Sequence, residues 1–354
     1  MPSLVVLDAA GTPEFVESLR AAWDHGDAVL PLDPRLPRPA RAEVLAAARP
    51  DEPVADGDAL VIATSGTSGV SKAVVLTHEA VGAAARAVSR RMEIDPKTDC
   101  WLACLPLAHV GGLAVVARAL VTGTPLEVHA AFDPAAVNTS PATVTSVVPT
   151  MLDRGVRADG FRLVLVGGDA DPRDRAPNVV HTYGMTETVG GVVHRGRPLD
   201  GVEVRTDEDG QLHIRGPMTL RCYRDGTDPK DRDGWLPTGD LGGVVDGRVQ
   251  VQGRMSNVII TGGEKVLPEQ VEVVLRDHPE VLDVAVAGRP DPEWGQRVVA
   301  WVVPRRPATP PTLASLRRLA KDALPAYCAP KELVLVTVLP KTAAGKTRRA
   351  QLDT

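Results

Sequence analysis

The sequence predicts an α/β protein with a large N-terminal domain of mixed sheets and helices, residues 1–252, and a small C-terminal α+β domain, residues 258–354. Three observations predict it. Apolar, β-rich runs such as Leu60-Val61-Ile62-Ala63 alternate with Ala-rich helical stretches such as 79–92, the pattern of helices layered on a largely parallel sheet. Two further apolar runs, 163–166 and 179–181, stop at loops of small or polar residues, where the ligands of such sheets usually sit. The 354 residues exceed one ordinary domain, and the last hundred follow their own pattern of helix, strand, strand, helix and strand.

Taken in order, residues 12–23 read as helix and 31–39 as a Pro-rich connection, with little chemistry in either. From Leu60 a strand enters the turn-forming string Thr64-Ser65-Gly66-Thr67-Ser68-Gly69, and 72–76 leaves as a second strand. Thr77 then supplies an N-cap for the helix 79–92. The run 113–121 is apolar, and as a helix it would put Arg118 on the same face as Gly111, seven residues earlier. Strand 163–166 leads into Gly167-Gly168, and strand 179–181 into a loop beginning Thr182-Tyr183-Gly184. Pro237-Thr238-Gly239-Asp240 opens a Gly-rich hairpin that closes before Gly253-Arg254, the expected domain boundary. Beyond it come helix 269–276, strands 281–287 and 297–303, a Pro-rich link 304–311, helix 313–324 and strand 333–339.

Composition excludes several classes. With 44% hydrophobic and 24% charged residues the chain is neither disordered nor fibrous, and 3% aromatics leave few stacking platforms for nucleic acid. The net charge of −5 divides into +3 from Met255 onward and −8 before it, a split that suits an anionic ligand held between the two parts. Four cysteines, Cys100, Cys104, Cys222 and Cys328, fit neither a zinc knuckle nor a disulfide framework, so a reducing cytoplasm is expected. No charged-then-apolar leader and no run of about 18 apolar residues is present, so neither secretion nor stable membrane insertion is expected.

Two strings carry chemistry. The first, Thr64-Ser65-Gly66-Thr67-Ser68-Gly69 with Lys72, combines hydroxyls, glycines that let backbone N–H groups approach a ligand, and a cation, the ingredients of a phosphate cradle. It is not a Walker loop, since no helix follows directly, and a polar hairpin turn is an equal reading of the residues alone. The second, Thr182-Tyr183-Gly184-Met185-Thr186-Glu187-Thr188, offers a ring for a base, a hydroxyl for a phosphate and a carboxylate for Mg²⁺, or else simply an irregular loop.

Six motifs in order decide between these readings. The two strings above, Gly210-Gln211-Leu212-His213-Ile214-Arg215-Gly216, Thr238-Gly239-Asp240, Gly253-Arg254 and Pro340-Lys341-Thr342-Ala343-Ala344-Gly345-Lys346 resemble those of the adenylate-forming acyl-CoA synthetase superfamily. The resemblance runs from about residue 59 to the end. It implies ATP-dependent attack of a carboxylate on the α-phosphate with release of pyrophosphate, then transfer of the acyl group from AMP to CoA. By position, Thr64 to Gly69 and Lys72 would hold the β- and γ-phosphates, Thr186 the α-phosphate and Glu187 the Mg²⁺. Gly167, Gly168 and Tyr183 would frame adenine beside Gly184 and Met185, while Asp240 would take the ribose hydroxyls with Arg254 nearby. Lys346 would bridge the substrate carboxylate and the α-phosphate; it is one of only eight lysines against 32 arginines.

The same resemblance implies a small domain that rotates between half-reactions about Ser256, where many relatives carry Asp. It also implies that Gly262-Gly263 approaches the pantetheine of CoA. Pro106-Leu107-Ala108-His109 resembles the motif whose histidine borders the reacting carboxylate, with Ala108 in place of the usual aromatic. Within the superfamily the chain most resembles the o-succinylbenzoate-CoA ligases of menaquinone biosynthesis. They carry a basic residue nine positions after that histidine, here Arg118, to hold the second carboxylate of a dicarboxylic acid, and glycines at the positions of Gly190-Gly191. Thr150, with its neighbours 148–151, stands either in the lining of the aromatic pocket or in ordinary packing. The phosphate loop begins at Thr64, early for the superfamily, so an abbreviated large domain is expected. A CoA ligase for a fatty or aryl monocarboxylate, or a non-catalytic nucleotide-binding relative, remains the alternative. A homodimer is compatible with the sequence.

Overall fold

The computed structural model describes residues 1–65, 71–168, 175–341 and 347–352. Contacts group the chain into two compact units: Met1–Arg205, His213–Pro237 and Asp246–Val249 in the first, Thr206–Leu212, Thr238–Val245 and Gln250–Thr354 in the second. The expectation of mixed sheets and helices is met in the first unit and that of an α+β arrangement in the second. Among the described residues no helix is long and apolar enough to cross a membrane.

The first unit holds two sheets. One runs Leu4–Asp8, Ala28–Leu32, Asp58–Ser65, Ser71–Thr77 and Cys222–Tyr223, parallel over the first three strands and antiparallel thereafter. The expected strand-turn-strand is therefore present, with Thr64 opposite Lys72 and Ser65 opposite Ser71. Thr77 caps the next helix, His78–Arg91, its Oγ1 accepting from the Ala80 N–H at 3.1 Å.

The other sheet has seven strands, in the order Arg197–Pro198, Gly190–His194, Val179–Met185, Leu163–Val166, Val144–Val147, Trp101–Ala103 and Leu126–Val128. From Val179–Met185 to Leu126–Val128 the strands are parallel; the first two are antiparallel additions. Strands Val144–Val147 and Leu163–Val166 are buried at every residue, as expected of a parallel sheet covered on both faces. Helix Val110–Thr122 is apolar almost all round, is buried from Gly112 to Ala119, and packs on Trp101–Ala103 and on helix His78–Arg91.

One expectation is corrected here. Strand Val179–Met185 continues four residues past His181, so Thr182, Tyr183, Gly184 and Met185 lie in a ladder and not in a loop. The reason is a tight return: Thr186–Thr188 forms one turn, and the Thr188 hydroxyl binds the backbone of both Met185 and Gly190. Gly184 lets the two strands close, because a Cβ there would lie 1.9 Å from the Gly190 carbonyl oxygen.

In the second unit, strands Glu264–Val266, Ile259–Thr261, Gly295–Pro304 and Val281–Asp291 form a sheet in that order, with Glu332–Leu335 parallel to Gly295–Pro304. Strand alternation feeds two cores. Val284, Val286, Val298, Ala300 and Val302 meet the helices Pro268–Arg276 and Leu313–Ala323, whereas Ala285, Val299 and Trp301 meet Leu339 and Leu352 on the other face. The last strand is shorter than expected, Glu332–Leu335, and Leu339 reaches the core from outside the ladder.

Candidate active site

In the first unit the two strings expected to bind phosphate meet through a residue that sequence reasoning missed. The Thr64 hydroxyl donates to the Lys72 carbonyl at 3.3 Å, across the two strands of the turn. Lys72 is exposed, and its Nζ stands 4.6 Å above the ring of Tyr223, a cation–π contact. The Tyr223 hydroxyl donates to Oε1 of Glu187 at 3.1 Å. Burial and the Glu187 carboxylate push the Tyr223 phenol well above its ordinary value, so it stays a hydrogen-bond donor. Glu187 is itself buried, behind a half-buried Thr186. A small tether, Lys72 to Tyr223 to Glu187, thus joins the lysine of the first string to the carboxylate of the second. Gly66, Thr67, Ser68 and Gly69 lie outside the described residues; Ser65 is described for its backbone only.

The signal for Tyr223 was thin: it is one of three tyrosines, and it follows the Arg-Gly strand closely. The pairing of Cys222–Tyr223 with Ser71–Thr77, together with the Leu220 N–H donating to the Glu187 carbonyl at 2.7 Å, brings it to Glu187.

Gly167 and Gly168 end the strand Leu163–Val166, and a Cβ on Gly167 would lie 2.7 Å from the Thr182 hydroxyl. That hydroxyl donates to the Val166 carbonyl at 3.2 Å. Gly167, Gly168 and the start of the Tyr183 motif therefore meet at the carboxyl end of Leu163–Val166, beside its parallel neighbour Val179–Met185. Thr150 sits half-buried in the short helix Pro149–Asp153, beside buried Met151.

His109 is the exposed N-cap residue of helix Val110–Thr122. Asp33 faces it: its carboxyl is held below the usual range chiefly by Arg35, and His109 contributes to the same shift. Nine residues on, about 13 Å along the axis, Arg118 is buried to 6% exposure. The face of the helix it shares with Val110 and Ala114 turns to Gly190, where an added Cβ would lie 3.8 to 3.9 Å from all three side chains. The guanidinium lies over the Trp101 ring at 5.5 Å, and its Nη1 finds no acceptor among the described residues. Burial pulls the Arg118 pKa down to about 10, so the group stays a cation in a dry place. Gly191 is close to a second buried group, His194, which the sequence reading did not single out.

The second unit assembles the ribose-side expectation. Arg254 Nε meets Asp240 Oδ1 at 3.1 Å, and Arg254 Nη1 donates to the Thr238 carbonyl at 2.7 Å. The Asp240 N–H donates to the Thr238 hydroxyl, which donates onward to Leu212, while Gln211 accepts from the Gly239 N–H. Ser256 is exposed on a one-turn segment, Met255–Asn257, anchored by Asn257 to Glu269 at 2.7 Å. Gly262 and Gly263 form the two-residue turn between Ile259–Thr261 and Glu264–Val266, with φ of +60° and +84°, which explains glycine at both. Lys346 lies outside the described residues.

Comparison with known proteins identifies the family and the fold. The AMP-binding enzyme family matches residues 46–224, and the AMP-binding enzyme C-terminal domain matches 270–346. A probable 2-succinylbenzoate–CoA ligase of Mycobacterium tuberculosis (strain CDC 1551) is 39% identical over 337 residues, with 87% of each chain covered. The o-succinylbenzoate-CoA synthetase of Bacillus subtilis, solved with its acyl-adenylate intermediate, matches with a TM-score of 0.87 and 25% identity, over 100% of this chain and 88% of that one. The same enzyme solved with ATP and a magnesium ion shares the fold, with a TM-score of 0.86 and 24% identity over 99% and 89% of the two chains.

Proposed function

The chain belongs to the AMP-binding enzyme family, and from that premise we propose that it is an ATP-dependent ligase joining 2-succinylbenzoate to CoA in menaquinone biosynthesis. The observation that carries the choice of acid is Arg118, a buried cation whose Nη1 has no acceptor among the described residues. An unbalanced buried charge is costly, and a ligand carboxylate removes that cost. A dicarboxylic acid supplies one such group at Arg118 and leaves the other for chemistry toward His109.

In the first half-reaction a carboxylate oxygen attacks the α-phosphorus and pyrophosphate leaves; in the second, the CoA sulfur attacks the acyl carbonyl and AMP leaves. Both bring anions together, so the chain's work is to place donors and cations in advance. Thr64, Ser65, Gly66, Thr67, Ser68, Gly69 and Lys72 receive the outer phosphates, and Thr186 the α-phosphate. Gly167, Gly168, Tyr183, Gly184 and Met185 line adenine. Asp240, oriented by Arg254 and Thr238, accepts from the ribose. Lys346 offsets charge between the carboxylate and the α-phosphate. Gly262 and Gly263 let the pantetheine pass, and Ser256 is the pivot between domains 1–252 and 258–354.

Magnesium suits the donors available. Among the described residues no three of His, Cys, Asp and Glu gather as a metal cage. A single buried carboxylate, Glu187, with the Thr186 hydroxyl beside it, is the sparse oxygen set that Mg²⁺ uses when nucleotide phosphates and water complete its shell. When bound, the ion neutralises phosphate charge. The reading carries with it a cytoplasmic location and is compatible with a homodimer.

A second reading rests on the Trp101 contact, which makes Arg118 a packing residue in a ligase for a monocarboxylate. Purified protein with ATP, Mg²⁺, CoA and a panel of acids, followed by pyrophosphate release and thioester mass, separates the two. Turnover of 2-succinylbenzoate is expected; good turnover of a fatty or aryl monocarboxylate with none of the dicarboxylate would reject the proposal. Lys346→Ala is expected to abolish adenylation yet largely spare thioester formation from supplied acyl-adenylate, and equal loss of both would contradict its role.

A further inference from the structure

His194 is the last residue of the strand Gly190–His194, opposite Thr182 in the ladder. It is 3% exposed. Its Nε2 lies 3.4 Å from the Gly191 carbonyl oxygen, long for a hydrogen bond, and its Nδ1 is buried with no partner among the described residues. Buried polar atoms in native proteins are almost always satisfied, so an orphan of this kind asks for an explanation.

The orphan has a neighbour of the same sort. A Cβ on Gly190 would lie 3.9 Å from Arg118 Nη2, and one on the next residue, Gly191, 3.7 Å from His194 Nε2. Two buried side chains thus flank consecutive glycines, and each has a nitrogen, Arg118 Nη1 and His194 Nδ1, that nothing in the described protein satisfies. A carboxylate has two oxygens to be satisfied when it leaves water. Arg118 accounts for the charge and for one oxygen.

We propose that His194 is the second recognition group for the distal carboxylate of the acid, a specificity-determining residue that donates from Nδ1 beside Arg118. The inference rests on the dicarboxylate reading above and adds to it the residue that completes the subsite. The ring acts as a neutral donor. Burial, the Arg118 charge and, more weakly, Arg91 hold its pKa at about 3, so at neutral pH it adds no second cation to a single carboxylate. Moving the ring proton to Nδ1 costs only the long contact to Gly191, which makes this imidazole easy to recruit. A monocarboxylate, with nothing to place between Arg118 and His194, leaves both nitrogens unsatisfied, and this disfavours its binding.

The test compares two acids and three variants in the intact enzyme: 2-succinylbenzoate and its analogue without the ring carboxylate, against His194→Phe, His194→Asn and His194→Gln. Asn carries an amide donor where Nδ1 stands, whereas Gln extends toward the Nε2 position. We expect His194→Phe to raise KM for the dicarboxylate roughly 10- to 100-fold, with kcat within about twofold and KM for the analogue unchanged. His194→Asn should recover most of the loss and His194→Gln little of it. Melting temperatures identify any variant that fails to fold, and the Asn-against-Gln contrast serves if Phe does. An unchanged KM, an equal rise for both acids, or Gln matching Asn overturns the proposal. If the wild-type enzyme does not turn over the dicarboxylate, the functional reading and this inference fall together; if it does and His194 variants are silent, only the inference falls.

Discussion

Asp58 and Arg118 are both buried charges of the first unit, and they are held in opposite ways. The Asp58 side chain is fully buried, yet it takes both arms of Arg221 at 2.9 and 2.8 Å and the Ala55 N–H at 3.0 Å. Asp99 is treated alike, with Arg162 at 2.8 and 2.6 Å and the Thr143 hydroxyl at 2.8 Å. Arg118 has a tryptophan face and an Nη1 with no acceptor among the described residues. A buried charge balanced within the chain serves the fold, because removing one partner strands the other. One left unbalanced costs the fold, and under the proposed function a ligand carboxylate offsets that cost.

The largest expected effect breaks the unbalanced side. Arg118→Leu should raise KM for the dicarboxylate by the equivalent of about 2 to 5 kcal/mol while the melting temperature holds or rises, because no internal partner is stranded. An unchanged KM, or a marked loss of stability, would move Arg118 to the structural class. Next, Asp58→Ala should cost about 2 to 3 kcal/mol in denaturant unfolding, the low end for a buried pair since Arg221 is partly exposed, with kcat/KM of the folded enzyme unchanged.

Asp99→Asn is a milder and pH-dependent version. Burial opposes ionisation of Asp99, but Arg162, the Asp95 N–H and Thr143 outweigh it and hold the carboxyl below its usual range. Its contribution is therefore complete above about pH 4, the unfolded value, and is lost as pH falls through the lower folded value. Unfolding curves of wild type and variant should differ by about 1 to 2 kcal/mol at pH 7 and converge in acid. A constant gap across pH would mean that the ion pair is not the cause. Smallest, Tyr223→Phe removes one hydrogen bond to Glu187 and should weaken ATP binding by about 1 kcal/mol, read as a rise in KM for ATP with KM for the acid unchanged.

Much of the fold was legible because the relevant interactions are local. The pair of strands around the turn after Thr64, the Thr77 cap and the helix that carries Arg118 follow from alternation, capping chemistry and apolar runs over a dozen residues. Asp240 and Arg254 were legible as members of motifs, and the structure joins them at 3.1 Å. Tyr223 was not legible, being 36 residues from the carboxylate it binds. His194 was not either, since nothing in Val-Val-His marks a buried orphan. The extension of Val179–Met185 was missed because Gly184 reads as a turn signal locally, whereas the partner strand makes it a point of close approach.

By itself, then, the sequence determined the kinds of group present and their order: hydroxyls, glycines, a carboxylate, a histidine, an arginine and a lysine in the succession of a carboxylate-activating enzyme. Tertiary structure alone decided which of the charged and polar groups are balanced inside the protein and which, among the described residues, are not. The physical reason is that the cost of a charge depends on what surrounds it, and desolvation and pairing come from residues distant in the chain. An arginine at position 118 is legible in one dimension; an arginine buried with an Nη1 that finds no acceptor among the described residues is a property of three.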